Sequence, residues 1–339
     1  MMLELVACAV AGALVSAFLP FAAIPLLRRI QVVDVGTERS SHRGVALRGL
    51  GVAPWVGVAV TLVAALLVSP SEMFLPASAM VAGLAVGLVG FVEDTAGLSI
   101  RVRAGSQLLV GLLLSTAVGL LENGGVLAVL LFGIFFVGYV NVTNFMDGIN
   151  GISGIHGVVV GSSFAAVGAF EEISWLVMLG VLVAGVFGSF IVWNVGSELR
   201  FLGDVGSYLL GGVIAGTVIA AYSAGVPLWA LVSPLTLYIA DAAYTLVRRV
   251  VAKQRVYEAH REHVYQRLAA SPELGHVRVA TVYGVMTAVL AVGGAVVIVV
   301  PDAITSVITA QVALIAVFFI AAERRLAAGN LHSREAAST

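Results

Sequence analysis

Long apolar stretches recur along this chain, separated by short polar segments where glycine, asparagine and charged residues gather. A helix needs about 20 mostly apolar residues to cross the hydrocarbon core of a bilayer. Shorter runs qualify when polar turns bound them inside a bundle. Eleven stretches fit, at 3–27, 51–68, 78–92, 107–121, 126–142, 154–170, 173–193, 206–222, 227–247, 279–299 and 303–322. The third, fourth and fifth are short. The pattern predicts an all-α, polytopic membrane bundle of about 11 transmembrane helices, with 1–339 as a single domain joined by short loops.

Composition agrees with the pattern and excludes its soluble alternative. The chain is 60% hydrophobic and 11% charged, with a mean hydropathy of +1.05, against about 25% charged residues in soluble domains. No hydrophilic block is large enough for a second domain. The single cysteine, Cys8, excludes an internal disulfide and a cysteine-based metal cage. Leu5-Val6-Ala7-Cys8 superficially matches a lipoprotein cleavage box, but no basic residues precede it, so it reads as part of the first membrane helix.

Charge supplies the orientation. Short loops rich in Lys and Arg stay in the cytoplasm, and here alternate loops hold all 18 basic residues while the others carry only acids such as Glu72, Glu122, Glu171, Glu172 and Asp302. An odd number of spans then puts the N-terminus outside and the C-terminus inside a plasma (inner) membrane. The same parity brings five polar segments to the cytoplasmic ends of the helices. They are Ser40 to Gly51, Glu93-Asp94, Asn141 to Asn150, Gly203 to Ser207, and His260 to Arg267.

These segments carry the candidate chemistry. Adjacent carboxylates such as Glu93 and Asp94 repel each other, which suits a hydrated helix end or a divalent cation. Asn141, Asn144 and Asp147 recur at i, i+3 and i+6, one face of a continuing helix, with Gly148, Gly151 and Gly154 letting the backbone turn around a ligand. Asparagine suits a nucleobase or ribose, and Asp147 a metal. Asp204 lies among small residues where a helix begins, a place that favours phosphate, with an N-cap aspartate as the plain alternative. His260 and His263 share a helical face with Arg267 one turn further. No zincin glutamate follows, so phosphate binding is preferred to zinc. Asp241, inside the ninth span, is costly in a membrane and therefore a functional candidate.

The motifs resemble those of the polyprenyl-phosphate N-acetylhexosamine-1-phosphate transferases, glycosyltransferase family 4. This group includes the phospho-MurNAc-pentapeptide translocase and the GlcNAc-1-phosphate transferase. Asn144-Phe145-Met146-Asp147-Gly148-Ile149 and Phe201-Leu202-Gly203-Asp204-Val205-Gly206-Ser207 carry the likeness, and Ala259 to Leu268 is similar to the branch that initiates O-antigen and related surface glycans. Glu93 stands where the family usually has the first aspartate of an Asp-Asp pair, and Asn150 where many members have an acid. Arg48-Gly49-Leu50-Gly51 resembles a triple-glycine version of the first loop. The resemblance implies transfer of an N-acetyl-aminosugar 1-phosphate from a UDP-sugar to undecaprenyl or another polyprenyl phosphate, with release of UMP. It implies Mg²⁺, or Mn²⁺ in its place, on Asp204 and Asp147. Asp94 and Glu93 join them as catalytic candidates, with His260 and His263. Arg43, Arg48, Asn141, Asn144, Asn150, Arg267 and Asp241 are the substrate-binding candidates. No nucleic acid partner is expected, and a homodimer is compatible. The rivals are a secondary transporter, for which no clear internal repeat speaks, and an inactive relative.

Overall fold

The computed structural model describes residues 1–29, 33–35, 45–195, 200–254, 261–271 and 273–338. The first apolar stretch forms α1 (Met2–Phe18) and α2 (Pro20–Arg29), bent by 47° where Pro20 interrupts the amide ladder. A short hairpin follows, β1 (Val33–Val35) against β2 (Val45–Leu47), with Val33 opposite Leu47. Then come α3 (Val52–Val68), α4 (Phe74–Ala96), α5 (Ile100–Ala117), α6 (Leu120–Met146), α7 (Ile152–Phe170), α8 (Ser174–Val195) and α9 (Gly203–Ser223). The ninth apolar stretch breaks at Pro234 into α10 (Leu228–Val232) and α11 (Thr236–Val251). A short helix, α12 (Val264–Ala269), precedes α13 (Gly275–Val299) and α14 (Ile304–Ser338).

Every one of the eleven expected stretches therefore overlaps a helical element, in a helical, multi-pass membrane protein. Among the described residues, eight helical segments, α10 and α11 counting as one, are long and apolar enough to cross a membrane unaided, nine with the bent α1–α2 pair, and α3 is a shorter apolar helix. The boundaries of the short stretches move, and the one expected at 126–142 lengthens to Leu120–Met146. The stretch expected at 78–92 extends to Phe74–Ala96, and the one expected at 107–121 lies instead at Ile100–Ala117. Arg101 and Arg103 depress hydropathy at the start of α5, but neither stops a helix that Ser99 caps through its hydroxyl.

The exterior and interior are sorted as a bilayer requires. Leu67, Val192 and Val292 face outward, exposed by two thirds or more. The centre is α9, whose residues from Val205 to Ala221 are all buried. Without a hydrophobic force between helices in lipid, close approach through small residues supplies the packing. A Cβ on Gly90 of α4 would sit 2.2 Å from the carbonyl oxygen of Asp204, and one on Gly212 of α9 would sit 2.9 Å from the Cα of Gly83. These contacts seat the polar N-terminus of α9 against the polar end of α4.

Candidate functional site

The beginning of α9 organises the site. Its first amides have no partner within the helix, and Leu202 at the N-cap offers no side-chain acceptor. Asp94, from the end of α4, caps it instead: one carboxylate oxygen accepts the Asp204 N–H at 3.1 Å and the other the Val205 N–H at 3.0 Å. The dipole of α9 favours that negative charge at its N-terminus. The chain must turn sharply just before, and Gly203 does so with φ +75°. The first loop closes on the same point by backbone bonds. Phe201 N–H donates to the Leu47 carbonyl at 2.9 Å, and Gly51 N–H donates to the Leu202 carbonyl at 2.8 Å. Gly51 and Gly206 lie so close that a Cβ on Gly51 would be 2.4 Å from the Gly206 Cα. Arg48, exposed on this loop, thereby sits where its charge acts on Asp94, Asp147 and Asp204.

The end of α6 completes the cluster. Asn144 donates through Nδ2 to Asp204 Oδ1 at 2.8 Å and to Ser207 Oγ at 3.0 Å. Asp147 is the C-cap of α6, just past the helix, and its Oδ1 accepts the Ser153 hydroxyl at 2.6 Å. Its carboxyl is pushed up to about 7 chiefly by burial away from water, with the charges of Asp204 and Asp94 adding to the rise and Ser153 and Arg48 opposing it. Gly151, at φ +89°, then turns the chain into α7. Its N–H is held by Asn194 Oδ1 at 2.6 Å, while Asn194 Nδ2 donates to the Arg200 carbonyl at 2.8 Å. Among the described residues no three His, Cys, Asp or Glu side chains form a metal-holding group by themselves.

Other candidates lie elsewhere. Asn141 does not share the face of Asn144 toward Asp204: its amide donates to Gln107 Oε1 on α5 at 2.7 Å. Glu93 binds Arg103 at 3.0 Å and accepts the Leu98 N–H, so it fastens the α4–α5 turn. The backbone N–H of Asn150 donates to His276 Nδ1 at 3.4 Å, toward α13. Arg267, expected to bind phosphate, instead makes two hydrogen bonds to Glu323 of α14, at 2.5 and 2.9 Å, and Arg248 joins the same carboxylate. Asp241, expected to touch substrate, is fully enclosed and does not reach a surface. His263 is buried beside it, with Nδ1 at 3.2 Å from Asp241 Oδ1. Arg43 and His260 lie outside the described residues.

Two positioning residues escaped the sequence reading. Gln107, fully buried on α5, and Asn194, at the end of α8, are lone polar side chains in apolar surroundings. Their partners lie on other elements, so the sequence carried little signal of their roles.

The helices and the converging ends define a multi-pass membrane protein with a carboxylate cluster at one end of its bundle. Residues 76–222, from α4 to near the end of α9, match the family model described as glycosyl transferase family 4. The match takes in Asp94, Asn144, Asp147 and Asp204. A Thermotoga maritima protein named undecaprenyl-phosphate alpha-N-acetylglucosaminyl 1-phosphate transferase is 27% identical over 260 residues, 75% of this chain and 80% of its own. A Bacillus subtilis protein named as a probable undecaprenyl-phosphate N-acetylglucosaminyl 1-phosphate transferase is 25% identical over 266 residues, 73% of each chain.

Proposed function

We propose that this protein transfers an N-acetyl-aminosugar 1-phosphate from a UDP-sugar to undecaprenyl or another polyprenyl phosphate, initiating a lipid-linked cell-envelope glycan of the O-antigen kind. The observation that carries this reading is the convergence of Asp94, Asp147 and Asp204 with Arg48 at the N-terminus of α9, at one end of membrane helices. The one-sided basic residues support a cytoplasmic location for that end, at the inner membrane. A lipid phosphate and a soluble nucleotide can meet only at such a boundary. An oxygen of the lipid phosphate attacks the β-phosphorus of the UDP-sugar, and the bond to the bridging oxygen breaks. UMP leaves with that electron pair, and the sugar keeps its own C1–O bond.

Such transfers rest on positioning and charge neutralisation. Asp94 holds the beginning of α9 in place, and its two oxygens already serve that purpose. Asn144 orients Asp204, and Arg48 is placed to receive phosphate. The donor set fits Mg²⁺, or Mn²⁺, because such ions are commonly held by one or two carboxylates together with the phosphates they serve. Asp147 and Asp204 each keep one oxygen with no hydrogen bond among the described residues. An ion bound there would neutralise charge on the diphosphate.

The assay is direct. Purified protein, undecaprenyl phosphate, Mg²⁺ and a panel of UDP-N-acetyl-aminosugars should give UMP and a lipid diphosphosugar, and EDTA should stop the reaction. Release of UDP with a lipid carrying one phosphate would mean attack at the sugar carbon and end this reading.

Asp147 gives cation binding a pH dependence. With its carboxyl pushed up to about 7, the fold retains a proton that an unfolded aspartate loses near pH 4. Stability from this group is therefore greatest below that value and is lost as pH rises toward 7. A cation that displaces the proton binds up to about tenfold more weakly for each unit below pH 7. Mg²⁺ is expected to raise the unfolding temperature more at pH 8 than at pH 6, and Asp147→Asn to level the two. Equal shifts in the unaltered protein would remove Asp147 from the ligands.

A further inference from the structure

Asp241 is a carboxylate enclosed in α11 with no exposed surface, and five groups surround it within hydrogen-bond distance. Its Oδ1 accepts the Val264 N–H at 3.0 Å and the Thr245 hydroxyl at 3.3 Å, and lies 3.2 Å from His263 Nδ1. Its Oδ2 accepts the Tyr265 N–H at 3.1 Å and the Tyr283 hydroxyl at 2.5 Å. Two carboxylate oxygens offer about four lone-pair sites. These donors leave no capacity for substrate or cation.

What the carboxylate holds is α12, whose six residues are too few for a helix to persist by itself. Asp241 satisfies the first amides of that helix and orients His263 just before it. The far side of α12 rests on the turn that carries Asn144 and Asp147. Tyr265 donates its hydroxyl to the Phe145 carbonyl at 2.8 Å, and the His263 and Phe145 rings stack with centroids 6.1 Å apart. Gly148 makes the approach close, since a Cβ there would meet the Tyr265 hydroxyl at 2.3 Å. One continuous set of contacts therefore runs from the interior of α11 to the carboxylate cluster.

We propose that Asp241 is a positioning residue for the reaction, one that seats α12 against the Asn144–Asp147 turn and fixes His263 with Nδ1 as donor. The arrangement parallels Asp94, which caps α9 from α4. In each case a carboxylate on a membrane helix holds the first amides of a second helix, α9 in one case and the short α12 in the other. The effect on turnover rests on the transferase reading; the effect on His263 does not.

The test uses the full chain in detergent, with ¹⁵N-labelled histidine. The His263 side-chain signals are assigned by their disappearance in His263→Gln. Asp241→Asn keeps the size of the side chain but turns an amide N–H₂ toward groups that are themselves donors. The His263 signals should lose the hydrogen-bonded Nδ1 proton while the remaining histidines keep their positions, and UMP release should fall about a hundredfold, as misplacement far from the chemistry does. If Asp241→Asn does not fold, Tyr283→Phe removes one donor and leaves both backbone bonds. It should move the His263 signals in the same direction by a smaller amount. Unchanged His263 signals in a folded variant overturn the proposal. Normal UMP release by folded Asp241→Asn, beside an active parent, also overturns it. If the parent releases no UMP with any donor, the transferase reading fails and the His263 signals alone decide whether Asp241 seats this segment.

Discussion

Replacing Asp204 by Asn is expected to reduce transfer by about a thousandfold or more, which is about 4 kcal/mol of transition-state stabilisation, while the protein still folds. The side chain changes by one heavy atom, and its present bond can persist, because an asparagine carbonyl oxygen accepts the Asn144 amide as Oδ1 does now. The backbone N–H of residue 204 keeps its bond to Asp94. What disappears is the charge that a divalent cation or a developing phosphoryl centre requires. Three carboxylates and one arginine share this corner, and removing one of the mutually repelling acids relieves the others. The unfolding temperature should therefore stay level or rise as activity falls, the pattern of a group retained for function at the expense of stability. Initial rates of UMP release at saturating Mg²⁺, with unfolding monitored alongside, check this. Activity within about tenfold of the parent would exclude Asp204 from charge stabilisation.

The sequence made the membrane helices legible because hydropathy depends on composition over whole windows, which tolerates local irregularity. It was less informative at α5, where Arg101 and Arg103 interrupt the apolar run although the helix continues through them. The reason lies at long range: Arg103 is neutralised by Glu93 and touches the Tyr208 hydroxyl at 3.4 Å, partners on α4 and α9. The two three-residue strands are too short to leave an alternating pattern. Within the site, the convergence of Asp94, Asn144, Asp147 and Asp204 at one end was readable from loop parity. The face drawn through Asn141, Asn144 and Asp147 was not, because α6 ends at Met146 and Asp147 adopts non-helical angles. Asn141 then turns to Gln107, and only the tertiary packing of α5 beside α6 shows it. The partners of Arg267 and Asp241 were hidden for the same reason. A buried or basic residue advertises its cost in a sequence, but its partner, here Glu323 or the amides of α12, stands far along the chain.

The adjacent acids of α4 should separate cleanly. Asp94→Asn is expected to lower transfer about a hundredfold, and Glu93→Gln by less than about tenfold, because the two side chains hold different things. Asp94 accepts two amide hydrogens from the beginning of α9. An asparagine supplies one acceptor oxygen, and its N–H₂ then faces the other amide, leaving a donor unsatisfied at a cost of about 1–3 kcal/mol. The lost charge also weakens the match to the helix dipole. Any shift of the first turn of α9 carries Asp204 with it, and Gly203 and Gly90 leave little slack, since Cβ atoms there would lie 2.7 Å from Asp94 Oδ2 and 2.2 Å from the Asp204 carbonyl. Glu93→Gln keeps an oxygen for the Leu98 amide and exchanges an ion pair with Arg103 for a neutral hydrogen bond. That pair is partly exposed, and such pairs contribute about 1 kcal/mol or less. Activity and unfolding temperature of both variants, measured side by side, test the division. Equal losses in the two would mean that the α4–α5 turn held by Glu93 positions the site as strongly as the cap on α9.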